Sequence, residues 1–286
     1  MSERWTRVRP HRFSALPPER NRLDPCGSHV VNQLAVKNEV PVITPLIDPV
    51  IQRNVTVSGQ TRTGQTAARP SGTRAAGAAR RPLRFASFNM HRGRDIHDQP
   101  FDEVAACAGL DVDVLALQEA PNAGRIGAAL GYHVAHAPGE RTDVAILSRA
   151  PMVRLEDLAL PSGCCGTRVV VRAYVRHGDD TVRVACTHLC HLPHGSMRQL
   201  IALRRWLADP MPVDILAGDL NMWRTVVAQV LPTVRPVVRQ ATWPARWPHS
   251  QIDHVLVGPG VSDGSGSAVV AGASDHLALR TELRLI

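Results

Sequence analysis

The chain has 286 residues, of which 44% are hydrophobic, enough for one large domain or two small ones with a proper core. This composition excludes collagen-like, coiled-coil and wholly disordered proteins. The net charge of +8 is unevenly distributed, because residues 1–84 hold 14 basic and 5 acidic side chains and leave 19 basic against 20 acidic ones for residues 85–286. The basic character therefore belongs to the N-terminal segment.

Residues 1–82 lack sustained helical or strand periodicity. Residues 58–81 consist almost entirely of small, polar and basic side chains, which cannot offset the entropy of ordering by burial. We predict that residues 1–82 form a disordered, basic, low-complexity arm. Its composition suits an electrostatic tether to polyanions, but a dispensable extension is the favoured interpretation.

No targeting or membrane segment is expected. The first twenty residues are charged and no apolar segment follows them, so they do not form a secretory signal. Residues 34–51, the most apolar early stretch, contain charged residues and three prolines, which a membrane-spanning helix does not tolerate. The six cysteines are few for this length, and the adjacent Cys164 and Cys165 cannot readily pair with each other. We therefore expect a reduced, cytoplasmic chain without a membrane span, and a monomer.

From Leu83 onward, short β-rich runs alternate with turn residues and helical stretches. Two of the runs flank His177 to Asp180, a turn-rich tetrapeptide that predicts an antiparallel hairpin. Ser196 followed by Gln199 is a capping-box pattern, which predicts a helix from there to about Asp209. Nine strands are predicted, which requires more than one sheet. They are residues 83–89, 112–118, 132–135, 143–147, 168–176, 181–189, 213–217, 252–257 and 277–285.

Polar and ionisable side chains recur where these apolar strands end, and such positions meet at one rim of a sheet. Two histidines among them, His188 and His276, are available for proton transfer or for stabilising an oxyanion. The others supply only oxygen ligands, which suit a hard divalent cation such as Mg²⁺ or Mn²⁺ better than Zn²⁺. These oxygen-bearing residues are Asn89, Glu119, Asp219, Asn221 and Asp275.

This ordered series resembles the endonuclease/exonuclease/phosphatase superfamily, the DNase I-like metal-dependent phosphoesterases. The resemblance covers residues 83–286 and implies an α/β (α+β) catalytic domain, built as a four-layer sandwich of two packed mixed β-sheets flanked by helices. The site would lie at one rim. The motifs that carry it are Phe88-Asn89, Gln118-Glu119, Asp143 to Arg149, Thr187-His188-Leu189, Gly218-Asp219-Leu220-Asn221, Ile252-Asp253-His254 and Ser274-Asp275-His276.

The resemblance also implies roles for individual residues. Glu119 would be the principal ligand of Mg²⁺ (or Mn²⁺), with Asn89 and Asp275 near the ion. Asp219 and Asn221 would position the attacking water and a phosphate oxygen.

In the same comparison His276, oriented by Asp253, would act as base or transition-state stabiliser. His188 would contact the phosphate and protonate the leaving group, while Arg168 would either support the phosphate or stabilise a strand end. The general base is open between Asp219 and His276.

The predicted function is therefore metal-dependent hydrolysis of phosphate esters, of the phosphodiesterase or nuclease type, with nucleic acid as one of the substrates to test. With a histidine at position 188, the chain resembles the histidine-containing branches of the family rather than the abasic-site endonucleases. At the position where the DNase I branch has an arginine, this chain has Pro121. Two alternatives are a phosphomonoesterase or lipid/inositol-phosphate hydrolase on the same scaffold, and a binding protein on a decayed scaffold. Every expected catalytic position holds a competent residue, which argues against decay.

Two local patterns have competing interpretations. The run from Cys186 to His194 is rich in zinc-type ligands, but strand alternation places Cys186, His188 and Cys190 about 7 Å apart, too far for neighbours to share one ion. Trp243 and Trp247 could form a stacking surface for bases or a contact for lipid. Because prolines follow both, packing of the loop onto the domain is the favoured interpretation.

Overall fold

A computed structural model describes residues 81–137, 143–155, 157–163, 166–208 and 213–286. These residues form two β-sheets and four α-helices, with a short 3₁₀ turn at His91–Gly93. The strands are β1 (Leu83–Asn89), β2 (Val114–Gln118), β3 (His133–His136), β4 (Ala145–Ser148), β5 (Met152–Arg154), β6 (Leu158–Gly163), β7 (Gly166–His177), β8 (Asp180–His188), β9 (Ile215–Asp219), β10 (Arg235–Pro236), β11 (Asp253–Val257), β12 (Val261–Val269) and β13 (Ala278–Leu285). The helices are α1 (Glu103–Leu110), α2 (Ala123–Leu130), α3 (Pro193–Leu207) and α4 (Arg224–Val230).

Both sheets are mixed. The first has the strand order β12-β13-β1-β2-β4-β3, in which only β1 and β2 are parallel. The second has the order β10-β11-β9-β8-β7, with β5 and β6 both paired to β7, and only β8 and β9 are parallel. The predicted hairpin is confirmed, since β7 and β8 pair from His177 and Asp180 onward.

Three layers of buried side chains hold the domain together. The central layer lies between the sheets and includes Phe85 from the first and Ile215 from the second. A second layer, including Ile126, packs α1 and α2 on the outer face of the first sheet, and a third, including Leu203, packs α3 and α4 on the second. Strands that are buried on both faces have nearly continuous apolar sequences. The predicted four-layer sandwich of two mixed sheets flanked by helices is confirmed.

Strands β5, β6, β10 and β12 were not predicted from the sequence. The largest omission is β12, whose sequence VSDGSGSAV has no apolar alternation because most of its side chains are exposed or half-exposed at the sheet edge. Gly266 is required there, since a Cβ would lie 2.4 Å from the Arg280 carbonyl oxygen. Segment 261–269 is therefore a strand because it pairs with β13, and its hydrophobic pattern does not predict one.

The predicted start of α3 at a Ser196 cap is wrong. The helix begins at Pro193, which suits the first helical position because it has no N–H to satisfy. Ser196 lies inside the helix, where its Oγ donates to the carbonyl of Leu192. Gln199 accepts a hydrogen bond from the Cys190 backbone N–H at 2.8 Å and so ties the helix to the end of β8.

The structure describes three of the six cysteines, and one of them differs from expectation. Cys190 is disulfide-bonded, contrary to the prediction of a fully reduced chain, while Cys107 and Cys186 are free and buried. The Cys186 thiol lies in the central core and accepts a hydrogen bond from Gln118. Neither Cys186 nor Cys190 is thus arranged as a zinc ligand.

The predicted arm, except for Arg81 and Pro82, lies outside the described residues, and so do Cys164 and Cys165. The boundary between arm and domain stays a prediction. Within the described part of the chain, no helix combines the length and apolarity that crossing a bilayer requires.

Replacement of Gly218 tests the packing of β8 against β9. Its φ of +146° is unfavourable for other residues, and a Cβ would lie 1.8 Å from the Thr187 carbonyl oxygen. We expect Gly218→Ala to lower the free energy of unfolding by about 3 kcal/mol or more, measured by urea denaturation. The matched control is Gly124→Ala in α2, where nothing lies within 4 Å and alanine should stabilise by up to about 1 kcal/mol. An unchanged midpoint for Gly218→Ala would contradict this account.

Candidate active site

The candidate site lies at one rim of the sandwich, where strands of both sheets end. In the first sheet Asn89 is paired with Gln118. In the second sheet Asp219 is paired with His188 on one side and with Asp253 on the other. The antiparallel β11 begins where its neighbours end, so its first residue joins the same rim.

Strand alternation turns these side chains into the space between the sheets. On β9, Ile215 and Ala217 belong to the central core, and Asp219 is the next residue of the same parity. The two inner faces meet at the rim, where Asn89 Nδ2 donates a 3.0 Å hydrogen bond to Asp219 Oδ2. The sequence therefore brings polar groups of both sheets together simply by ending each apolar run on an inward position.

Glu119 and Asn221 follow the strand ends in left-handed conformations, each with φ of 48°. Such conformations cost roughly 1–3 kcal/mol for a non-glycine residue and cluster at functional sites. Gln118 points inward toward Cys186, so plain alternation would send Glu119 outward. The left-handed turn instead leaves Glu119 Oε1 4.0 Å from His188 Nε2.

His276 and Asp253 form a buried pair in which His276 Nδ1 lies 2.9 Å from Asp253 Oδ2. The other ring nitrogen, Nε2, lies 3.9 Å from Asp219 Oδ2. Burial opposes the charged imidazolium, but Asp253, through its charge and its hydrogen bond, together with Asp219 and Asp275, outweighs it and raises the pKa of His276 to about 10. Burial, followed by the charge of Asp253, raises the pKa of Asp219 to about 7.

His188 lies on the other side of Asp219, with its Nε2 3.6 Å from Asp219 Oδ2. Its Nδ1 lies 3.3 Å from Arg168 Nη1. Because a guanidinium only donates, Nδ1 must accept, and the proton of the neutral ring sits on Nε2, facing the site. Burial, followed by the charge of Arg168, lowers the pKa of His188 well below its usual range. This environment favours a neutral hydrogen-bond donor at His188.

Supporting hydrogen bonds fix the loops that carry the site. The Asn221 N–H donates to Asp219 Oδ1 at 2.9 Å, and the Asn221 amide donates to the Leu189 carbonyl at 3.1 Å. Ser274 Oγ donates to the Asn89 carbonyl at 2.7 Å and thereby positions the segment that holds Asp275 and His276.

Asp275 is half-buried and offers one unsatisfied oxygen. Its Oδ2 accepts a 3.1 Å hydrogen bond from Trp243 Nε1. Its Oδ1 is buried and has no hydrogen-bond partner, although His91 Nδ1 lies 3.7 Å away and His276 Nε2 3.9 Å away. A carboxylate oxygen in this state is one that a cation can satisfy.

The structure brings all nine sequence-predicted residues together around Asp219. Four of the others contact it directly: Asn89, His188, Asn221 and His276. The remaining four contact His188 or His276, and they are Glu119, Arg168, Asp253 and Asp275. A cleft of about 760 Å³ opens onto seven of them, all except the buried Asn89 and Asp253. Its lining also contains residues to which sequence analysis assigned no role. These are Pro193, Met222, Trp223, Ser250 and Ile252. Hydrophobic periodicity predicts which side chains are buried, but it does not show which exposed ones line a cleft.

A second cavity of about 500 Å³ lies at the opposite ends of the strands. Its ionic groups are largely paired, with Arg81 bound to Asp113 and Arg149 to Asp111. Of these two cavities within the described residues, the first is the one where several histidines and carboxylates converge, and we therefore take it as the candidate active site.

The donor set fits a divalent cation. Among the described residues, Asp219, Asp253 and His276 each place a ligand atom within 4.8 Å of one another and could hold a metal ion. The unpartnered, buried Oδ1 atoms of Asp253 and Asp275 add further oxygen donors. An oxygen-rich set suits Mg²⁺ or Mn²⁺.

Residues 86–276 match the family model described as the Endonuclease/Exonuclease/phosphatase family. Among solved structures, an endonuclease/exonuclease/phosphatase from Beutenbergia cavernae is 23% identical, covers 72% of each chain and has a TM-score of 0.54. Truncated TDP2 from Caenorhabditis elegans is 17% identical over 71% of this chain and 97% of that one, with a TM-score of 0.52. Sphingomyelinase C from Streptomyces griseocarneus is 17% identical over 70% and 99%, with a TM-score of 0.53. At these identities the structures show a shared fold. No curated protein matches.

The pairing of Asp253 with His276 predicts a titration shift. In metal-free protein, Asp253→Asn should lower the pKa of His276 from about 10 by about 1 to 3, because the opposite charge is lost. The change is measured by NMR of the ring nitrogens in EDTA, with Asp179→Asn at the far end of the molecule as control.

The pair of His276 and Asp253 also makes the stability of the fold depend on pH. A raised pKa in the folded state stabilises the fold below the unfolded value near 6.5, and this contribution is lost as the pH rises toward about 10. The wild type should therefore lose more unfolding free energy over this range than Asp253→Asn. Identical titration curves for the two proteins would show that Asp253 does not control His276.

Proposed function

The chain belongs to the Endonuclease/Exonuclease/phosphatase family, and from that premise we propose that it hydrolyses phosphate esters, phosphodiesters above all, by attack of water on phosphorus assisted by a bound divalent cation. The observation that carries the proposal is the position of Asp219, whose Oδ2 lies between His188 Nε2 at 3.6 Å and His276 Nε2 at 3.9 Å inside one cleft.

Proton transfer from water is assigned to the pair of Asp219 and His276. Asp219 is fixed by hydrogen bonds from Asn89 and from the Asn221 N–H. His276 is held in one orientation by Asp253, so its Nε2 stays directed at Asp219. A positioned acceptor of this kind contributes about 10²–10⁴ to the rate. Because the pKa of His276 is raised to about 10, its imidazole carries its proton near pH 7, so Asp219 is the member of the pair that accepts the proton first.

His188 and Arg168 are assigned to the phosphate. The Nε2–H of His188 points into the cleft because Arg168 donates to Nδ1. A neutral N–H donor stabilises negative charge that develops on a phosphate oxygen or on the departing alkoxide. This arrangement supports a donor role for His188 more than the full protonation of the leaving group that sequence comparison suggested.

Glu119 and Asp275 are assigned to the cation, with Asn89 beside them. Asp253 and His276 already satisfy each other through a 2.9 Å contact, whereas Asp275 Oδ1 has no hydrogen-bond partner and Glu119 faces the cleft. The bound cation would supply neutralisation of the non-bridging phosphate oxygens, which otherwise repel an incoming nucleophile. Mg²⁺ or Mn²⁺ matches this oxygen-rich set.

Activity should appear with Mg²⁺ or Mn²⁺ and disappear with EDTA. The screen compares bis(p-nitrophenyl) phosphate with p-nitrophenyl phosphate, and adds plasmid DNA, RNA, sphingomyelin and inositol phosphates. Faster turnover of the monoester would favour the phosphomonoesterase alternative. Absence of turnover on every substrate would favour the non-enzyme alternative.

Two substitutions locate the activity. We expect Glu119→Gln and His276→Ala each to lower kcat at least about a hundredfold. Glu282→Gln and His133→Ala, both at exposed positions of the sandwich, are the matched controls and should retain the wild-type rate. Wild-type rates in either site variant would refute the assignment.

Metal binding is testable without turnover. A cation that binds the folded state alone should stabilise it by about 2.7 kcal/mol at a hundredfold excess over Kd. We expect Mg²⁺ or Mn²⁺ to raise the Tm of the wild type and of Glu282→Gln, and Glu119→Gln to lose most of this increase. An equal increase in all three proteins would place the cation elsewhere.

A further inference from the structure

Part of the cleft lining is apolar and takes no part in the proposed proton transfer. It consists of Met222, Trp223, Trp243 and Ile252, which we call the indole wall. The four residues belong to connected segments: the Leu220 N–H donates to the Ile252 carbonyl, and Trp243 pairs with Ser250. All four residues therefore line the same cleft as the ionic groups.

The two indoles of the wall remain accessible. Trp223 is 65% exposed and Trp243 37% exposed, so the expectation that Trp243 serves only to pack its loop onto the domain is incomplete. Large aromatic surfaces left open beside a polar site mark a place where a ligand is bound.

Hydrogen bonds hold the backbone segments that carry the two indoles. Trp243 Nε1 donates to Asp275 Oδ2 at 3.1 Å, and the Trp243 backbone exchanges hydrogen bonds with Ser250. The Trp223 carbonyl accepts hydrogen bonds from the first turn of α4, and His254 Nε2 lies 2.9 Å from the neighbouring Met222 carbonyl. Backbone segments fixed in advance reduce the entropy that is lost when a ligand binds to the wall.

We infer that the indole wall binds a planar aromatic ring carried by the phosphoester, so that the substrate is of the nucleotide or aryl type. The inference rests on the proposed function. Flat indole faces favour stacking of a planar ring. The ionisable groups of His188, Asp219 and His276 line the same cleft, and a long hydrocarbon chain would remove them from water, which is unfavourable.

The charge of the domain limits the size of this substrate. Residues 85–286 carry 19 basic and 20 acidic side chains, whereas affinity for an extended duplex comes mainly from neutralising many phosphates. A single nucleotide or the end of a single strand fits this charge, with the ring on the wall and its phosphate beside His188 and Asp219.

The test measures binding of three monophosphates by calorimetry in the presence of Mg²⁺: adenosine 5′-monophosphate, ribose 5-phosphate and octyl phosphate. We expect the wild type to bind adenosine 5′-monophosphate at least about tenfold more tightly than ribose 5-phosphate. Trp223→Ala should remove most of this difference, and Trp223→Phe should keep it. Trp247→Ala is the matched control, because Trp247 is 74% exposed but does not line the cleft.

Three results would overturn the inference: tighter binding of octyl phosphate than of adenosine 5′-monophosphate, equal weakening of all three ligands by Trp223→Ala, or no measurable binding of any. Failure of this inference can be told apart from failure of the proposed hydrolytic function. Turnover in the substrate screen without a ring preference would remove only the inference, and a ring preference without turnover would remove only the proposed activity.

Discussion

The hydrogen bond from Asn89 Nδ2 to Asp219 Oδ2 joins the inner faces of the two sheets at one rim, and the site is assembled around it. Packed sheets are separated by about 10 Å of side chains, so polar groups of both sheets can meet only where the apolar layer ends. Phe85 and Ile215 belong to that layer. The central core therefore sets the separation at which Asn89 can hold Asp219 between two imidazoles.

The same geometry concentrates negative charge in a buried place. Asp219 and Asp253 are paired neighbours on adjacent strands, and burial of two carboxylates side by side is unfavourable unless cations or donors compensate. His276 compensates Asp253 directly, while Asn89 and the Asn221 N–H compensate Asp219. The Oδ1 atoms of Asp253 and Asp275 keep no hydrogen-bond partner, and these two oxygens make the rim receptive to a metal ion.

Strand ends were the part of the molecule that sequence reasoning could predict. Asp219 and His188 follow apolar runs of fixed parity, and parity alone directs them inward. The edge strand β12 was not predicted because its pairing with β13, and not its own hydrophobic pattern, makes it a strand. The start of α3 at Pro193 was not predicted because no side chain caps this helix, so the sequence contains no capping pattern at that point. The exposure of Trp223 and the disulfide at Cys190 depend on which segments fold against each other, and no local pattern records that.

The edge formed by β12 has a consequence for association between molecules. An open strand edge offers unpaired backbone groups to which another chain can add, and aggregation starts at such places. Here the edge carries Asp263, several serines and two glycines, and its register is interrupted between Val261 and Asp263. Side chains from outside the strand also occupy part of this edge, since Arg235 donates to the carbonyls of Val261 and Ser262, and Gln240 accepts from the Ala268 N–H. A charged, weakly β-forming strand with an interrupted register and a partly occupied edge is a poor template for a second copy.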